Sequence, residues 1–297
     1  MKISAYVLNT MPKTYQWHLD SLSGQYRYFA KEGIKLNVLD DKNYRVKALI
    51  DCCDYKMPKH TLNPMLRKII RFYDFLDSGD DYGVMIDLDT MIIEGKSSKN
   101  IREFCDGNIY INHNTLEYEN RKKWMALPWV QQPWSERTRL CIHQTFTDFV
   151  KTDYPKDYFF NTGFSFLSRE FCEFVVQRLE DLGVSPVTKS GIKNLINLNK
   201  DTLPRFEMMG WENAHFTIHD EHLLELAINT VPNTHEIYKK IKRSDKELCC
   251  ESYQIRRNND PRDLNFGTLS KFTKHTFFHF IACKDDSVMD NIFRINQ

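Results

Sequence analysis

The chain has 297 residues, which is long enough for one large domain or two small ones. Its 41 Lys and Arg residues against 40 Asp and Glu residues give a formal net charge of +1, and this balance argues against a nucleic-acid-binding protein. Hydrophobic residues make up 41% of the chain and aromatic residues 13%, which predicts a well-packed globular core.

The eight cysteines show no Cys-x-x-Cys spacing, so neither a disulfide framework nor a zinc ribbon is indicated. Free thiols are typical of a reducing compartment. No apolar run reaches the length of a membrane span, and the N-terminal residues lack a signal-peptide profile, so we expect a cytoplasmic protein. The basic segment 239–243 is typical of a solvated surface, and alternatively could make a peripheral contact with anionic lipid headgroups.

The first predicted elements alternate between strand and helix. Residues 2–8 have the pattern of a buried strand, residues 15–31 that of a helix closed by Gly33, and residues 34–39 that of a second strand. This order predicts a parallel sheet covered by helices. Residues 42–59 have no clear period and are expected to form a loop with a short helix.

A further helix is predicted before the next strand. Asn63 and Pro64 suit its N-cap and first position, and Gly79 ends the apolar pattern. The helix carries Arg67 and Arg71 about one turn apart, and a solvated helix face is the usual place for such residues.

The most informative stretch follows this helix. Residues 82–86 form an apolar strand-type run that ends in Asp87-Leu88-Asp89. Strand alternation places Asp87 and Asp89 on the same side, where two carboxylates repel each other unless a cation lies between them. Such oxygen ligands suit Mg²⁺ or Mn²⁺, which also bind substrate phosphates. The alternative is a solvated acidic turn, since Asp-x-Asp triplets also arise by chance.

The middle of the chain adds a second motif. A short strand is predicted at 108–111 and a helix from Ser135 to Val150, with an irregular segment rich in tryptophan and proline between them. Asn161-Thr162-Gly163 then stands between two apolar runs, and as an isolated signal it predicts a turn. Ser168 suits the N-cap of the next helix, and residues 184–206 are expected to be irregular.

Two further motifs lie in the C-terminal third. Asp220 and Glu221 precede an apolar helical run, where acidic residues would complement the helix dipole. An aromatic strand near the end carries His279, and Lys284 follows five positions later. A lone histidine in such a strand is often a packed core residue.

Taken in this order, the motifs resemble those of the metal-dependent glycosyltransferases of the GT-A fold. That family has Asp-x-Asp after a core strand, Phe-Asn-(small)-Gly before an apolar strand, an acidic pair at a helix start, and a late histidine followed by lysine. The arginine-bearing helix before Asp-Leu-Asp-Thr looks most like the retaining glycogenin-like galactosyl- and glucosyltransferases and the initiating mannosyltransferases. The motifs span residues 82–284.

The resemblance implies an α/β fold of GT-A type. It has a Rossmann-like, mostly parallel sheet with helices on both faces and a smaller acceptor-side region. It also implies a single glycosyltransferase domain over residues 1–297. The nucleotide-sugar-binding half would comprise 1–111, and the acceptor-binding and catalytic half 112–297.

The resemblance also implies a set of site residues. Asp87, Asp89 and His279 would hold Mn²⁺ or Mg²⁺. Asp220 would bind hydroxyls of the donor sugar, and Glu221 would lie where a nucleophile or stabiliser is needed. The residues expected to contact the nucleotide-sugar are Val7, Asn9, Thr10, Arg67, Asp87, Leu88, Asn161, Gly163 and Lys284.

Some of these assignments have structural alternatives. Val7, Asn9 and Thr10 also fit an ordinary strand-to-helix loop. The family has glycine where this chain has Ala282, and this departure from the pattern makes Lys284, five positions after His279, a weaker match than His279 itself.

The implied activity is transfer of a sugar from a nucleotide-sugar, with UDP-sugars favoured, to a hydroxyl of a glycan, glycoprotein or glycolipid. The motif set favours a retaining enzyme, whereas in an inverting enzyme Asp220 or Glu221 would deprotonate the acceptor hydroxyl. The tryptophans at 124, 129 and 134 could offer flat faces to an acceptor sugar or simply pack a loop onto the core.

Two other classes of protein share part of the pattern. A phosphohydrolase of the haloacid-dehalogenase type also has Asp-x-Asp after an apolar strand, but the threonine it has two residues after the second aspartate is replaced here by Met91. A sugar-binding protein without catalysis is the third interpretation, and the retained Asp87, Asp89 and His279 argue against it.

Overall fold

The computed structural model describes residues 1–10, 15–54, 57, 60–94, 99–117, 134–151, 156–207, 218–232, 234–244, 248–251, 276–279 and 289. For residues 114–117, 134–140, 156–157, 207 and 250–251 it describes the main chain alone.

A six-stranded sheet forms the centre of the structure. In spatial order its strands are β2 (Lys35–Leu39), β1 (Ile3–Leu8), β3 (Tyr82–Ile86), β6 (Lys156–Ser168), β5 (Ile109–Glu117) and β7 (Ile241–Lys242). β6 is antiparallel to its neighbours β3 and β5, whereas the other pairs in this sheet are parallel. The α/β class and the mostly parallel sheet predicted from the sequence are therefore confirmed.

Helices and a second sheet cover the two faces. The helices are α1 (Gln16–Lys31), α2 (Tyr44–Ile50), α3 (Ile70–Ser78), α4 (Trp134–Val150), α5 (Arg169–Asp181), α6 (Lys189–Glu207), α7 (Asp220–Asn229) and α8 (Ile237–Lys240), with 3₁₀ turns at Pro64–Ile69 and Ile101–Phe104. Alternation along β3 points Met85 toward a core shared with helices α2 to α8. Val84 and Ile86 point the other way, toward a core shared with α1.

The second sheet consists of three short strands. In spatial order they are β4 (Thr90–Ile92), β9 (Phe277–His279) and β8 (Cys249–Glu251), with β9 antiparallel to β4 and parallel to β8. Phe277 anchors this sheet, because its ring lies 4.5 Å from that of Phe164 and stacks on that of Phe29. The register places His279 opposite Thr90. Strand pairing thus brings a residue near the chain's end beside the Asp-x-Asp motif.

β6 changes its register where the second sequence motif lies. Ile111 of β5 pairs with Ser165, yet the next residue, Asn112, pairs with Asn161. Thr162, Gly163 and Phe164 are therefore extra residues relative to β5. The turn predicted at Asn-Thr-Gly is therefore a bulge-like irregularity within a long strand. Such irregularities change the direction of side chains and are common beside functional sites.

The residues predicted to begin and end helices do so in the structure. The Asn63 side chain accepts a hydrogen bond from the Met65 amide at 2.9 Å, and Ser168 caps α5 through the Phe171 amide at 3.3 Å. Gly79 ends α3 with a φ of 75°, a left-handed conformation that favours glycine. The first turn after Asn63 is 3₁₀, and the helix becomes α-helical at Ile70.

The prediction of an irregular segment at 184–206 is wrong, since most of it forms α6. Its asparagines, its glycine and Pro204 are weak helix formers, which hid the helix from a propensity argument. The buried Leu195, Leu198 and Leu203 recur at helical spacing and join the core. Tertiary packing therefore overrides local preference here.

Other predicted boundaries differ in detail. β5 continues to Glu117 rather than ending at Ile111, so the predicted boundary between the two halves falls inside a strand, at the change of register. Trp124, Trp129 and Lys284 lie outside the described residues, and Trp134 is the first residue of α4. None of the helices among the described residues combines the length and apolar character of a membrane span.

Candidate metal and nucleotide-sugar site

Asp87, Asp89 and His279 come together at the carboxyl end of β3. Nε2 of His279 lies 3.4 Å from Oδ1 of Asp89 and 4.0 Å from Oδ2 of Asp87. One ligand atom from each residue falls within 4.8 Å of the other two. Asp87 and His279 are buried, whereas Asp89 is about 30% exposed. The group is therefore enclosed on one side and open on the other.

The chemistry of these three donors fits a divalent cation. Two carboxylates carry the charge that such a cation needs, and an imidazole adds a nitrogen ligand. Three protein ligands would leave further coordination positions for phosphate oxygens or water. The Asp87, Asp89 and His279 set predicted from the sequence is thus brought together by the fold.

Gly163 makes room for the histidine. A Cβ atom at this position would overlap the imidazole ring of His279, so the ring can lie there because the residue is glycine. The Gly163 carbonyl accepts hydrogen bonds from the Asp87 amide at 2.9 Å and the Thr90 hydroxyl at 3.3 Å. Gly163 therefore links β6, the Asp-x-Asp loop and His279.

Helix α1 holds the main chain of the Asp-x-Asp loop. The Ser21 hydroxyl donates to the Leu88 carbonyl at 2.5 Å, and the Gln25 amide donates to the carbonyls of Asp87 and Thr90, each at 3.1 Å. These bonds satisfy buried carbonyl groups at the turn. They orient the loop so that its carboxylates remain available on the other side.

Two cations from the helix before β3 contact Asp87. Nη1 of Arg71 lies 2.9 Å from Oδ1 of Asp87, and the Lys68 ammonium pairs with Oδ2. Burial alone would raise the pKa of Asp87, but the charges of Lys68 and Arg71 outweigh it and hold the pKa below its usual value. Asp87 is consequently ionised.

The acidic pair at the start of α7 faces the β6 irregularity. The Thr162 hydroxyl donates to Oδ2 of Asp220 at 2.5 Å, and the Thr162 amide donates to Oε1 of Glu221 at 3.2 Å. Burial would raise the pKa of Asp220, yet the hydrogen bond from His219 and the charge of Lys68 hold it well below its usual range. Asp220 is thus a buried carboxylate whose ionised form is favoured.

Arg71 and Lys68 join the two acidic groups. Nη2 of Arg71 donates to the Thr162 carbonyl at 3.3 Å, so one guanidinium spans from Asp87 to the residue that holds Asp220. The positive charge of Lys68 also interacts with Asp220 and Asp89. The carboxylates therefore belong to one electrostatic cluster.

The predicted nucleotide-binding residues of β1 lie at the same edge of the sheet. Val7 pairs with Ile86 in the parallel register, so the ends of β1 and β3 are adjacent. Asn9 and Thr10 follow directly and are partly exposed. The Val7 and Leu88 side chains are buried in the apolar core, which leaves their main chain for any contact with a ligand.

Two other predicted contacts have internal partners. Nε of Arg67 donates to the Pro64 carbonyl at 2.8 Å, and it is the neighbouring Lys68 and Arg71 that contact Asp87. Oδ1 of Asn161 accepts the Gly163 amide at 3.0 Å and so shapes the irregularity in β6. The predicted ligand contacts of Arg67 and Asn161 stay predictions.

Sequence reasoning overlooked four residues that shape this cluster. Lys68 lies three positions before Arg71, and this i, i+3 spacing is a signal that both side chains share one helix face. Thr162 lies between Asn161 and Gly163, and the predicted ligand contacts of this motif were assigned to those two neighbours. Ser21 and Gln25 share a face of α1, but nothing local indicates that this face meets residues more than 60 positions later.

Comparisons with known proteins give distant structural likenesses. Neither a protein-family model nor a curated protein sequence matches this chain. A glycosyltransferase involved in glycosylation of the major capsid of PBCV-1 has a TM-score of 0.45 and 12% identity, covering 99% of this chain and 100% of its own. Mouse xyloside xylosyltransferase 1, in its apo form, has a TM-score of 0.41 and 12% identity, covering 96% and 99%. A197 from STIV has a TM-score of 0.26 and 14% identity, covering 58% and 68%. These scores are too low to support an inference about function, which depends on the side chains of the site.

Proposed function

We propose that this chain is a divalent-metal-dependent glycosyltransferase. It moves a sugar from a nucleotide-sugar, with UDP-sugars favoured, to a hydroxyl group of a glycan, glycoprotein or glycolipid acceptor. The observation that carries the proposal is the convergence of Asp87, Asp89 and His279 at the carboxyl end of β3. In open α/β sheets, ligands bind outside the carboxyl ends of the strands.

The donor set fits Mn²⁺ or Mg²⁺, which when bound would neutralise negative charge on a departing diphosphate. Around that position the protein supplies its own cations, Lys68 and Arg71, of which Arg71 is rigidly held. Lys68 is the better candidate for a phosphate contact, because an ammonium on a flexible stem suits phosphate as a point charge.

Asp220 is suited to binding sugar hydroxyls or stabilising positive charge. An effective general base has a pKa near the working pH, and the pKa of Asp220 is held well below its usual range. This argues against Asp220 as the base of an inverting mechanism. It supports the retaining alternative, in which an ionised carboxylate would stabilise the positive charge that develops at the sugar.

Glu221 is the second candidate near the reacting carbon. One of its oxygens accepts the Thr162 amide, which fixes the carboxylate beside Asp220. A positioned carboxylate of this kind suits a nucleophile or stabiliser in a retaining enzyme, and the base in an inverting one. The anomeric configuration of the product distinguishes the two roles.

A phosphohydrolase of the haloacid-dehalogenase type is less well supported. In this chain Met91 stands where that type has its threonine, two residues after the second aspartate.

The first experiment measures release of UDP or GDP from a panel of nucleotide-sugars with Mn²⁺, with and without EDTA, beside hydrolysis of a generic phosphomonoester. We expect metal-dependent nucleotide release and no phosphomonoester hydrolysis. Asp89→Asn should lower the turnover on the order of 100-fold, because it removes a charged ligand of the metal. Lys31→Met, which changes a charge paired with Glu94 on the surface, is the matched control and should not change turnover.

Unchanged activity in Asp89→Asn would remove Asp89 from the site. Phosphomonoester hydrolysis that needs Asp87, without nucleotide release from any sugar donor, would replace the transferase by the phosphohydrolase.

A further inference from the structure

The two cations on Asp87 are held very differently. Arg71 is 1% exposed, and its guanidinium donates to the carbonyls of Lys68, Ile86 and Thr162 as well as to Asp87. For the Lys68 ammonium, Asp87 is the one hydrogen-bond acceptor that the described part of the chain supplies. The Lys68 side chain is also 18% exposed. Arg71 is therefore a fixed part of the fold, whereas Lys68 has one ion pair within the described residues and is partly exposed.

Lys68 holds the oxygen of Asp87 that faces the histidine. Oδ2, the atom paired with Lys68, is also the atom 4.0 Å from Nε2 of His279, whereas Arg71 holds Oδ1 on the other side. A divalent cation bound by Asp87 together with Asp89 and His279 would need this same oxygen. It would also meet an ammonium group in a poorly solvated cluster, where like charges repel strongly.

Resting on the proposed function, we propose that Lys68 competes with the metal for Asp87 and is drawn away by the phosphates of the nucleotide. Without nucleotide, the Lys68–Asp87 pair keeps metal affinity low. When a diphosphate enters, the ammonium gains a second anionic partner and Oδ2 of Asp87 is released. Metal and nucleotide-sugar then bind cooperatively, and the coupling works equally in both directions.

A lysine that competes with the metal differs in a measurable way from a lysine that only binds the donor phosphates. A lysine that only bound phosphate would, when removed, weaken nucleotide binding and leave metal affinity in the free protein unchanged. A competing lysine, when removed, strengthens metal binding in the free protein. The opposite signs make the two roles distinguishable without any measurement of activity.

The test is isothermal titration of the full chain with Mn²⁺ in the absence of nucleotide. Lys68→Met should bind Mn²⁺ about tenfold more tightly than wild type, at the lower end of what a hydrogen bond between charged groups contributes. Lys68→Arg retains the charge and should bind as weakly as wild type. Lys31→Met lowers the net charge equally at an exposed position and should also match wild type.

A second titration adds UDP at a fixed concentration. UDP should strengthen Mn²⁺ binding in wild type by a larger factor than in Lys68→Met, because the variant has already lost the competing cation. Circular dichroism verifies that each variant is folded. If Lys68→Met does not fold, Lys68→Gln removes the charge with a side chain that can still donate to Asp87.

Each outcome decides between the proposals. Equal or weaker Mn²⁺ binding by the folded uncharged variant overturns the competition, while the metal site and the proposed function stand. Absence of Mn²⁺ binding in every variant, with and without UDP, overturns both the competition and the metal-dependent function.

Discussion

The two halves of β6 are held in the sheet by different chemical groups. Residues 164–168 pair with β3, and two of them, Ser165 and Phe166, pair with β5 as well, in both cases through main-chain hydrogen bonds. Residues 158–161 pair with β5 on one side, whereas amides of the segment 158–162 donate on the other side to side chains of α7. The amides of Tyr158, Phe160 and Thr162 are bound by Asn229, Glu225 and Glu221, respectively.

This difference shows how a site is built into the sheet. The acceptors on α7 are four residues apart and therefore lie on one helix face, whereas the amides they bind are two residues apart along a strand. The face of one helix thus replaces a strand beside half of β6. A strand would bring only main-chain groups to this position, but the helix brings carboxylate side chains. One of them, Glu221, lies beside Asp220 at the candidate site.

The largest expected effect is on the buried part of this helix face. Glu225 is fully buried, and its carboxylate binds both the Phe160 amide at 3.2 Å and Nε2 of His143 at 2.9 Å. Glu225→Ala should lower the free energy of unfolding by about 3–5 kcal/mol, because both partners lose a buried carboxylate partner. Urea denaturation measures this change.

Glu225→Gln is the matched control, since an amide can still accept from Phe160 and face His143. Its free energy of unfolding should lie much closer to that of wild type than that of Glu225→Ala does. Equal stability of Glu225→Ala and wild type would show that the hydrogen bonds between α7 and the β6 amides do not stabilise the fold.

The next effect concerns the point where the two halves of β6 meet. Gly163→Ala would force the His279 imidazole away from its position, so Mn²⁺ affinity in the presence of UDP should fall on the order of 100-fold. Gly24→Ala in α1 is the control, because its Cβ meets no neighbouring atom and the change should not weaken binding. Unaltered Mn²⁺ affinity in Gly163→Ala would separate His279 from the metal.

The smallest effect concerns the hydroxyl that fixes Asp220. Thr162→Val removes a hydrogen bond to a buried carboxylate while conserving shape, and kcat should fall about tenfold with the KM for the nucleotide-sugar nearly unchanged. Thr162→Ser retains the hydroxyl and should recover most of the rate. Equal kcat values for the valine and serine variants would deny Thr162 a positioning role.

Much of the local structure could be predicted from the sequence, because its signals act over a few residues. The Asn63 and Ser168 caps, the left-handed Gly79 and the apolar run before Asp87 each depend on near neighbours. Convergence of Asp87, Asp89 and His279 was also predicted, but from a resemblance in the order of motifs rather than from the properties of the residues themselves. The metal and its role stay a proposal.

Periodicity and caps, which are short-range effects, were enough to locate the core strands, most helices and the acidic end of β3. The partners that those residues meet became visible only in the folded chain. Lys68 rather than Arg67 reaches Asp87, and the pairing of β4 with β9 carries His279 across nearly 190 residues of chain. The physical reason is that these contacts depend on strand register and on the packing of distant elements, which no local pattern encodes.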